Sequence, residues 1–279
     1  MKLGWVSDIH LDCLNDDLAV DAFLEDVASR NADAWLIGGD IAEASSVVAY
    51  LQRFELATRG TVYFVLGNHD FYGRSIEAVQ RQIRSALSRS TRLVWLSDAE
   101  VQHVDGGLVI VGDDGWADAR LGDARGTPVL LKDFFLIREL AGLSRPSLIH
   151  AMTALGDAAA QRLEPKLCRA AESSDRVVVL THVPPFREAA WYDGRMSSDE
   201  FLPWFSSRAM GEVILACAAA HPAVRFLVLC GHTHGPGTCE PARNVIVHTA
   251  GAEYGAPRVQ AVFDFTEGAW PSAPVSQGG

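Results

Sequence analysis

The chain has 279 residues, 48% of them hydrophobic and 21% charged, with a mean hydropathy of +0.08. That is enough for one large domain with a substantial core, or two small ones. A formal net charge of −11 disfavours nonspecific attraction to nucleic acid or anionic membrane, so neither is expected as a partner. No apolar stretch approaches the roughly 18 residues that span a bilayer. Five scattered cysteines without paired spacing predict reduced thiols. With a start that leaves no room for a cleaved leader before Ser7-Asp8, they predict a cytoplasmic location.

Five short apolar runs read as buried strands, and each ends in a residue able to hold a metal or a phosphate. Leu3-Gly4-Trp5-Val6 leads into Ser7-Asp8-Ile9-His10. Asn15 then caps a helix to about residue 30, with Val20, Phe23, Leu24 and Val27 on one face. Ala34-Trp35-Leu36-Ile37 leads into Gly38-Gly39-Asp40, and a second helix follows with Val47, Val48, Leu51 and Phe54 on one face. Val62-Tyr63-Phe64-Val65-Leu66 leads into Gly67-Asn68-His69-Asp70, and a third helix over about 75–88 carries Ile76, Val79, Ile83 and Leu87. This alternation predicts right-handed crossovers and parallel neighbouring strands.

From Leu108 the texture changes. Leu108-Val109-Ile110-Val111 is a strand, and Gly112-Asp113-Asp114-Gly115-Trp116 opens a long polar loop. Helical signals resume at about 129–140 and 147–171, with Pro165 breaking or ending a turn. Residues 112–175 therefore read as an inserted, largely helical cap or lid. Val177-Val178-Val179-Leu180 leads into Thr181-His182, and an irregular stretch over about 184–207 carries Trp191, Tyr192, Arg195, Trp204 and Phe205. A helix over about 209–220 precedes Phe226-Leu227-Val228-Leu229, which leads into Cys230-Gly231-His232-Thr233-His234. Strands are expected at 225–229, 245–248 and 258–265. The domain is expected to run from 1 to 267, with 268–279 a loose tail rich in Pro, Gly and Ser.

In sheets whose strands alternate with helices, ligands gather beyond the carboxyl ends of the strands. Asp8 and His10 stand two apart, so on an extended segment they point to one side, and His232 and His234 repeat that spacing. Asp40 has two oxygens with which to bridge a pair of cations, Asn68 offers an amide oxygen and His182 a further imidazole. Hard oxygen and intermediate nitrogen donors together suit Mn²⁺, Fe or Zn²⁺ and match Ca²⁺ poorly. The donors suffice for two cations, the arrangement that supports in-line attack on phosphorus. Taken singly, Asp8 and Asp40 also read as helix N-caps and His182 as a turn residue.

Together, Asp8-Ile9-His10, Gly39-Asp40, Gly67-Asn68-His69-Asp70, His182 and Gly231-His232-Thr233-His234 resemble, in order, the full motif series of the calcineurin-like metallophosphoesterase superfamily. The resemblance implies an α/β fold, a four-layer αββα sandwich. It implies that Asp8, His10, Asp40 and His234 hold one metal and that Asp40, Asn68, His182 and His232 hold the other. It further implies that a hydroxide held between the ions attacks a phosphate ester in line, while His69 protonates the leaving oxygen or stabilises the transition state. Glu43 and Ala44 set the chain apart from two branches: purple acid phosphatases place a metal-binding Tyr at the position of Glu43, and serine/threonine phosphatases an Asp followed by a phosphate-binding Arg. Glu43 is left as a candidate to orient His69. The long carboxyl-terminal extension of the DNA-repair nucleases has no counterpart. The expected function is hydrolysis of a small soluble phosphate monoester or diester by a dinuclear metal site. A cyclic-nucleotide phosphodiesterase is the alternative, and a non-catalytic scaffold of the same fold is the rival of another class.

Substrate contacts are expected from Asn68 and His69 and from the irregular segments, chiefly Arg120, Arg187, Trp191 and Arg195, with Arg125, Trp116 and Tyr192 beside them. Arginine with an aromatic suits a phosphate on a planar group, although each of these also reads as a solvated or packing residue. His103, His150 and His221 read as surface or helix-end residues, His248 as structural or adjacent to the site, Asp113 and Asp114 as an ordinary turn with a loop reaching the site as the alternative, and Cys230 as a small buried residue.

Overall fold

The computed structural model describes residues 1–266 and Trp270. β1 (Lys2–Val6), α1 (Asp17–Ser29), β2 (Ala34–Gly38), α2 (Val47–Ala57), β3 (Val62–Val65), α3 (Ile76–Leu87) and β4 (Leu93–Trp95) alternate as expected. β5 (Gln102–Val104) and β6 (Leu108–Gly112) then start a second sheet, followed by α4 (Asp133–Leu136), α5 (Arg145–Ser173) and β7 (Arg176–Leu180). The remainder comprises a hairpin of β8 (Trp191–Tyr192) and β9 (Arg195–Met196), then α6 (Leu202–Phe205), α7 (Arg208–Ala220), β10 (Arg225–Cys230), β11 (Gly237–Ala242), β12 (Val245–Thr249) and β13 (Ala261–Asp264).

The first sheet has the order β13-β1-β2-β3-β4 and the second β11-β12-β10-β7-β6-β5. Within each, the strands that carry the motifs run parallel and antiparallel pairing is confined to β13, β11 and β5. The motif strands are buried along nearly their whole length, as parallel strands covered on both faces must be. Leu3, Trp5, Leu36 and Val65 of one sheet pack against Ile110, Val178, Leu180 and Leu229 of the other. The outer face of the first sheet is covered by α1, α2 and α3 through Val20, Leu24, Leu51, Phe54 and Ile83. The outer face of the second is covered by α5 and α7 through Leu163, Leu167, Ile214 and Ala218. The result is the αββα order of layers.

Several local expectations are corrected. The cap of α1 is Asp16, whose Oδ1 accepts from Ala19 N at 2.9 Å, and not Asn15. The strand expected from 258 begins at Ala261. α5 runs unbroken through Pro165. Interior proline costs a helix about 3 kcal/mol, but Pro165 lies on the exposed face while Leu163, Lys166 and Leu167 are buried beside it. Because α5 belongs to the outer layer against α7, the helical cap expected over 112–175 shrinks to its irregular part, of which residues 130–133 overhang the site described below. The helix expected at 129–140 is the single turn of α4. The tail at 268–279 lies outside the described residues except Trp270, whose ring packs 5.8 Å from that of Phe265. No helix of the described residues is long and apolar enough to cross a membrane.

Two buried ionic side chains tie the carboxyl ends of the strands together. Asp114, just beyond β6, accepts from Leu66 N at 2.7 Å and Trp95 Nε1 at 2.8 Å, both in the other sheet. Lys166 Nζ donates to the carbonyls of Leu96 at 2.6 Å and Gly112 at 2.7 Å, again one from each sheet. Its neighbour Asp113 is paired with Arg162 at 2.8 Å, so the Asp113-Asp114 turn braces the frame. Asp114→Ala would orphan two buried donors and is expected to cost on the order of 2–4 kcal/mol in thermal or denaturant unfolding. Asp114→Asn, which keeps an acceptor, should cost less; equal losses would show that the hydrogen bonds are not what matters.

Candidate metal centre

Sharp turns, one at the end of each motif strand, build the site. Eight non-glycine residues have positive φ among the described residues, and five are Asp8 (52°), His10 (39°), Asp40 (50°), His232 (68°) and His234 (60°). That left-handed conformation costs a non-glycine residue about 1–2 kcal/mol, and such residues cluster at functional sites. Asp8 and His10 do meet, but through this turned backbone and not through the extended segment expected from their spacing.

Backbone groups hold the turns in place. Asp8 N donates to Gly39 O and His10 N to Asp40 O, both at 3.0 Å. His69 N donates to Asp40 Oδ1 at 2.9 Å, and His232 N to Asp8 Oδ1 at 2.8 Å. Asp70, wholly buried, accepts from the N–H groups of Ile41, Ala42 and Gly67 at 2.7–3.0 Å and so clamps the Asp40 turn to the Asn68 turn. Glycine is required where turns touch: a Cβ on Gly231 would lie 1.9 Å from Asp8 Oδ2, and one on Gly67 2.1 Å from Asp40 Oδ1.

Donor atoms converge in two groups. Asp8, His10, Asp40 and His234 form one and Asp40, His182 and His232 the other, with all donor atoms of a group within 4.8 Å of one another. Asp40 belongs to both. In the first, His10 Nε2 lies 3.2 Å from His234 Nε2 and 3.7 Å from Asp40 Oδ2. In the second, His182 Nε2 lies 3.4 Å from Asp40 Oδ1 and 3.1 Å from Asn68 Oδ1. Carbonyls fix two tautomers, since a carbonyl only accepts. His182 Nδ1–H donates to Gly38 O at 2.8 Å, and His232 Nε2–H to Trp204 O at 2.9 Å. In each ring the other nitrogen keeps its lone pair for a metal.

Electrostatics favour the same use. Burial, aided by the neighbouring imidazoles, lowers His10 to about 2 and His232 to about 4, and burial also lowers His182. These rings are neutral at physiological pH, the form in which an imidazole can hold a metal. Burial raises Asp40 to about 7, the cost of enclosing a carboxylate, which a bound divalent ion would offset. The residues present therefore fit a pair of divalent cations.

His69 stands outside both groups. Its Nε2 lies 4.0 Å from Asp40 Oδ2 and 3.4 Å from the Tyr254 hydroxyl, its ring packs 4.3 Å from that of Tyr72, and burial lowers its pKa to about 4. Glu43 does not orient it. That side chain is exposed ahead of α2, and the carboxylates whose charge acts on His69 are Asp133 and Asp12. The sequence reading passed over Asp133, which is buried and accepts from Asn68 Nδ2 at 2.8 Å and from Tyr72 OH at 2.6 Å. It thereby turns Asn68 Oδ1 toward His182. Tyr254 was also missed, and its ring lies 4.5 Å from His10 and 5.0 Å from His234.

The groups open into a cleft of about 1000 Å³ lined by Asn68, His69, Lys132, Tyr192, Phe201 and Tyr254, among others. Six expected contacts, the exposed Arg125 among them, do not reach its lining. Arg120 pairs with Asp118 at 3.2 Å and Asp157 at 2.7 Å, Arg187 with Asp199 at 2.5 Å, and Arg195 is exposed on β9. Trp191 packs under Gly235 and Gly237, and Trp116 lies in the core 5.3 Å from Phe71. His248 is buried away from the cleft, 6.1 Å from Phe263, with Nδ1 2.9 Å from Thr238 Oγ1.

Comparison with known proteins agrees with this geometry. The profile of the calcineurin-like phosphoesterase family matches residues 1–236. No curated protein matches the chain. Among solved structures, the phosphopantetheinyl hydrolase of Mycobacterium tuberculosis is similar with a TM-score of 0.62 at 16% identity, over 91% of this chain and 90% of that one. A dimetal phosphatase of Danio rerio aligns with a TM-score of 0.55 at 15% identity, over 90% and 87%. A Thermus thermophilus protein aligns with 0.52 at 15% identity, over 90% and 88%. At these identities the likeness is one of fold.

Gly231→Ala drives a methyl group into the Asp8 carboxylate and should displace one donor of the first group. Elemental analysis is expected to find less divalent metal per chain, with the far-ultraviolet circular dichroism unchanged. Full metal content would show that the turn can yield.

Proposed function

Because the chain belongs to the calcineurin-like phosphoesterase family, we propose that it is a dinuclear metal-dependent hydrolase of a small soluble phosphate ester. The observation that carries this reading is the sharing of Asp40 between two buried donor groups on the floor of one cleft. Asp8, His10, Asp40 and His234 would hold one cation, and Asp40, Asn68, His182 and His232 the other. Manganese, iron and zinc all suit these donors. Bound there, the cations would supply water acidified for attack and positive charge at phosphorus.

The remaining work falls to the chain's own groups. His182 and His232 are held in the ligating tautomer by the carbonyls of Gly38 and Trp204, and Asn68 is held by Asp133. His69, in the cleft wall and free of both donor groups, is placed to donate an N–H hydrogen bond to the leaving oxygen and so stabilise the charge that develops there. The reading makes a small molecule the partner, in the cytoplasm, with no part for membrane or nucleic acid. A non-catalytic scaffold would have no use for seven ligand-type side chains gathered together, five of them on strained backbone.

Initial rates on a chromogenic phosphate monoester and the matching diester, with Mn²⁺ restored after stripping, test the reading. His69→Ala is expected to keep both metals and lose roughly 10²–10⁴-fold in turnover; undiminished turnover would remove His69 from the mechanism. Asp40→Asn should weaken both ions together, as followed by calorimetric titration. Retention of two tight ions would refute the shared ligand.

A further inference from the structure

The wall of the cleft above the donor groups is apolar. Ten large hydrophobic side chains are exposed among the described residues, and four of them, Leu130, Tyr192, Phe201 and Tyr254, line this one cleft. They arrive from separate parts of the chain: the loop before α4, the β8–β9 hairpin, the start of α6 and the loop between β12 and β13. Single exposed apolar residues are ordinary, but their convergence around one concavity marks a surface that a ligand covers. The wall begins at the reacting centre itself, because Tyr254 packs on His10 and His234.

The charges argue in the same direction. Lys132 is the only lysine or arginine among the residues lining the cleft, whereas Asp193 and Glu253 are exposed carboxylates there. The scissile phosphoryl group would have the cations and Lys132 as partners. A second phosphate or a carboxylate elsewhere on the substrate would meet two like charges and no further cation. Nor does the space suit a very small substrate, since about 1000 Å³ lies at the upper end of the roughly 300–1,000 Å³ typical of small-molecule sites.

Building on the phosphoesterase reading, we infer that the leaving group of the substrate is an apolar alcohol, alkyl or aryl, and that the substrate carries a single phosphoryl group and no other anionic group. The leaving group lies along Tyr254 and fills the space between Leu130, Tyr192 and Phe201. Nucleoside diphosphates and sugar bisphosphates are excluded by the carboxylates at the wall.

The test uses the full chain loaded with Mn²⁺ and the n-alkyl phosphates from ethyl to octyl, each as monoester and as methyl diester. Their leaving groups are about equally basic, so differences in kcat/KM report burial. Glycerol phosphate and a nucleoside diphosphate serve as polar comparators. The expected result is a rise of roughly fourfold per methylene until the cleft is filled, with both comparators below butyl phosphate. Leu130→Ser and Phe201→Ser, at exposed positions outside the donor groups, should each lower the hexyl-to-ethyl ratio at least threefold. A flat chain-length series, a comparator preferred over hexyl phosphate, or a ratio unmoved in both variants overturns the inference and leaves the phosphoesterase reading standing. A protein that binds two Mn²⁺ per chain and hydrolyses none of the esters overturns that reading, and the inference with it.

Discussion

Everything at the floor of the cleft answers to one enclosed carboxylate. Asp40 is 1% exposed, and the titratable groups beside it are histidines held neutral by burial and the carboxylate Asp133, so burial works against its ionised form. The fold nevertheless secures it from several directions. Its main-chain carbonyl receives His10 N, its Oδ1 receives His69 N, and its backbone turns left-handed. Three turns of the chain are thus fixed relative to a group that costs free energy as long as no cation is present. Such an arrangement loses stability to gain a binding position, and Asp70 clamps it with three backbone donors.

The centre is a property of two sheets and not of one. Asp8, His10, Asp40 and Asn68 follow strands of the first sheet, while His182, His232 and His234 follow strands of the second. Neither sheet alone carries a complete donor group. The apolar interface between them supplies the driving force that brings the halves together, but that force is non-directional. Register at the rim comes from directional contacts: Asp114 on Leu66 and Trp95, and Lys166 on Leu96 and Gly112. The paired sheets place the histidines of one against the carboxylates of the other within the few ångströms that coordination tolerates.

The motif strands, the helix faces and the gathering of ligand-type residues at the strand ends were legible because motif residues lie a residue or two beyond apolar runs, where local sequence and topology coincide. The pairing of Asp8 with His10 was right for a reason that does not hold, since a left-handed turn and not an extended segment brings them together. Asp133 could not be found this way. It acts on Asn68 across 65 residues of chain, and nothing in its own neighbourhood marks it. The arginines proposed as phosphate contacts failed for a general reason. In a chain with 35 acidic against 24 basic residues, guanidinium groups in irregular segments find protein carboxylates, as Arg120 and Arg187 do. Glu43 failed because the direction of a side chain at the mouth of a helix is set by packing that its position after Asp40 does not encode.

The scarcity of lysine gives the molecule a built-in set of reporters. Its lysines are Lys2, Lys132 and Lys166. Lys2 is exposed on β1, Lys132 is exposed at the lining of the cleft, and Lys166 is buried with its ammonium on backbone carbonyls. An amine-reactive reagent therefore meets no obstacle at the first, the occupant of the cleft at the second, and the separation of α5 from both sheets at the third. One time course of acylation, read peptide by peptide, resolves occupancy of the cleft from opening of the whole fold, with Lys2 as the internal clock.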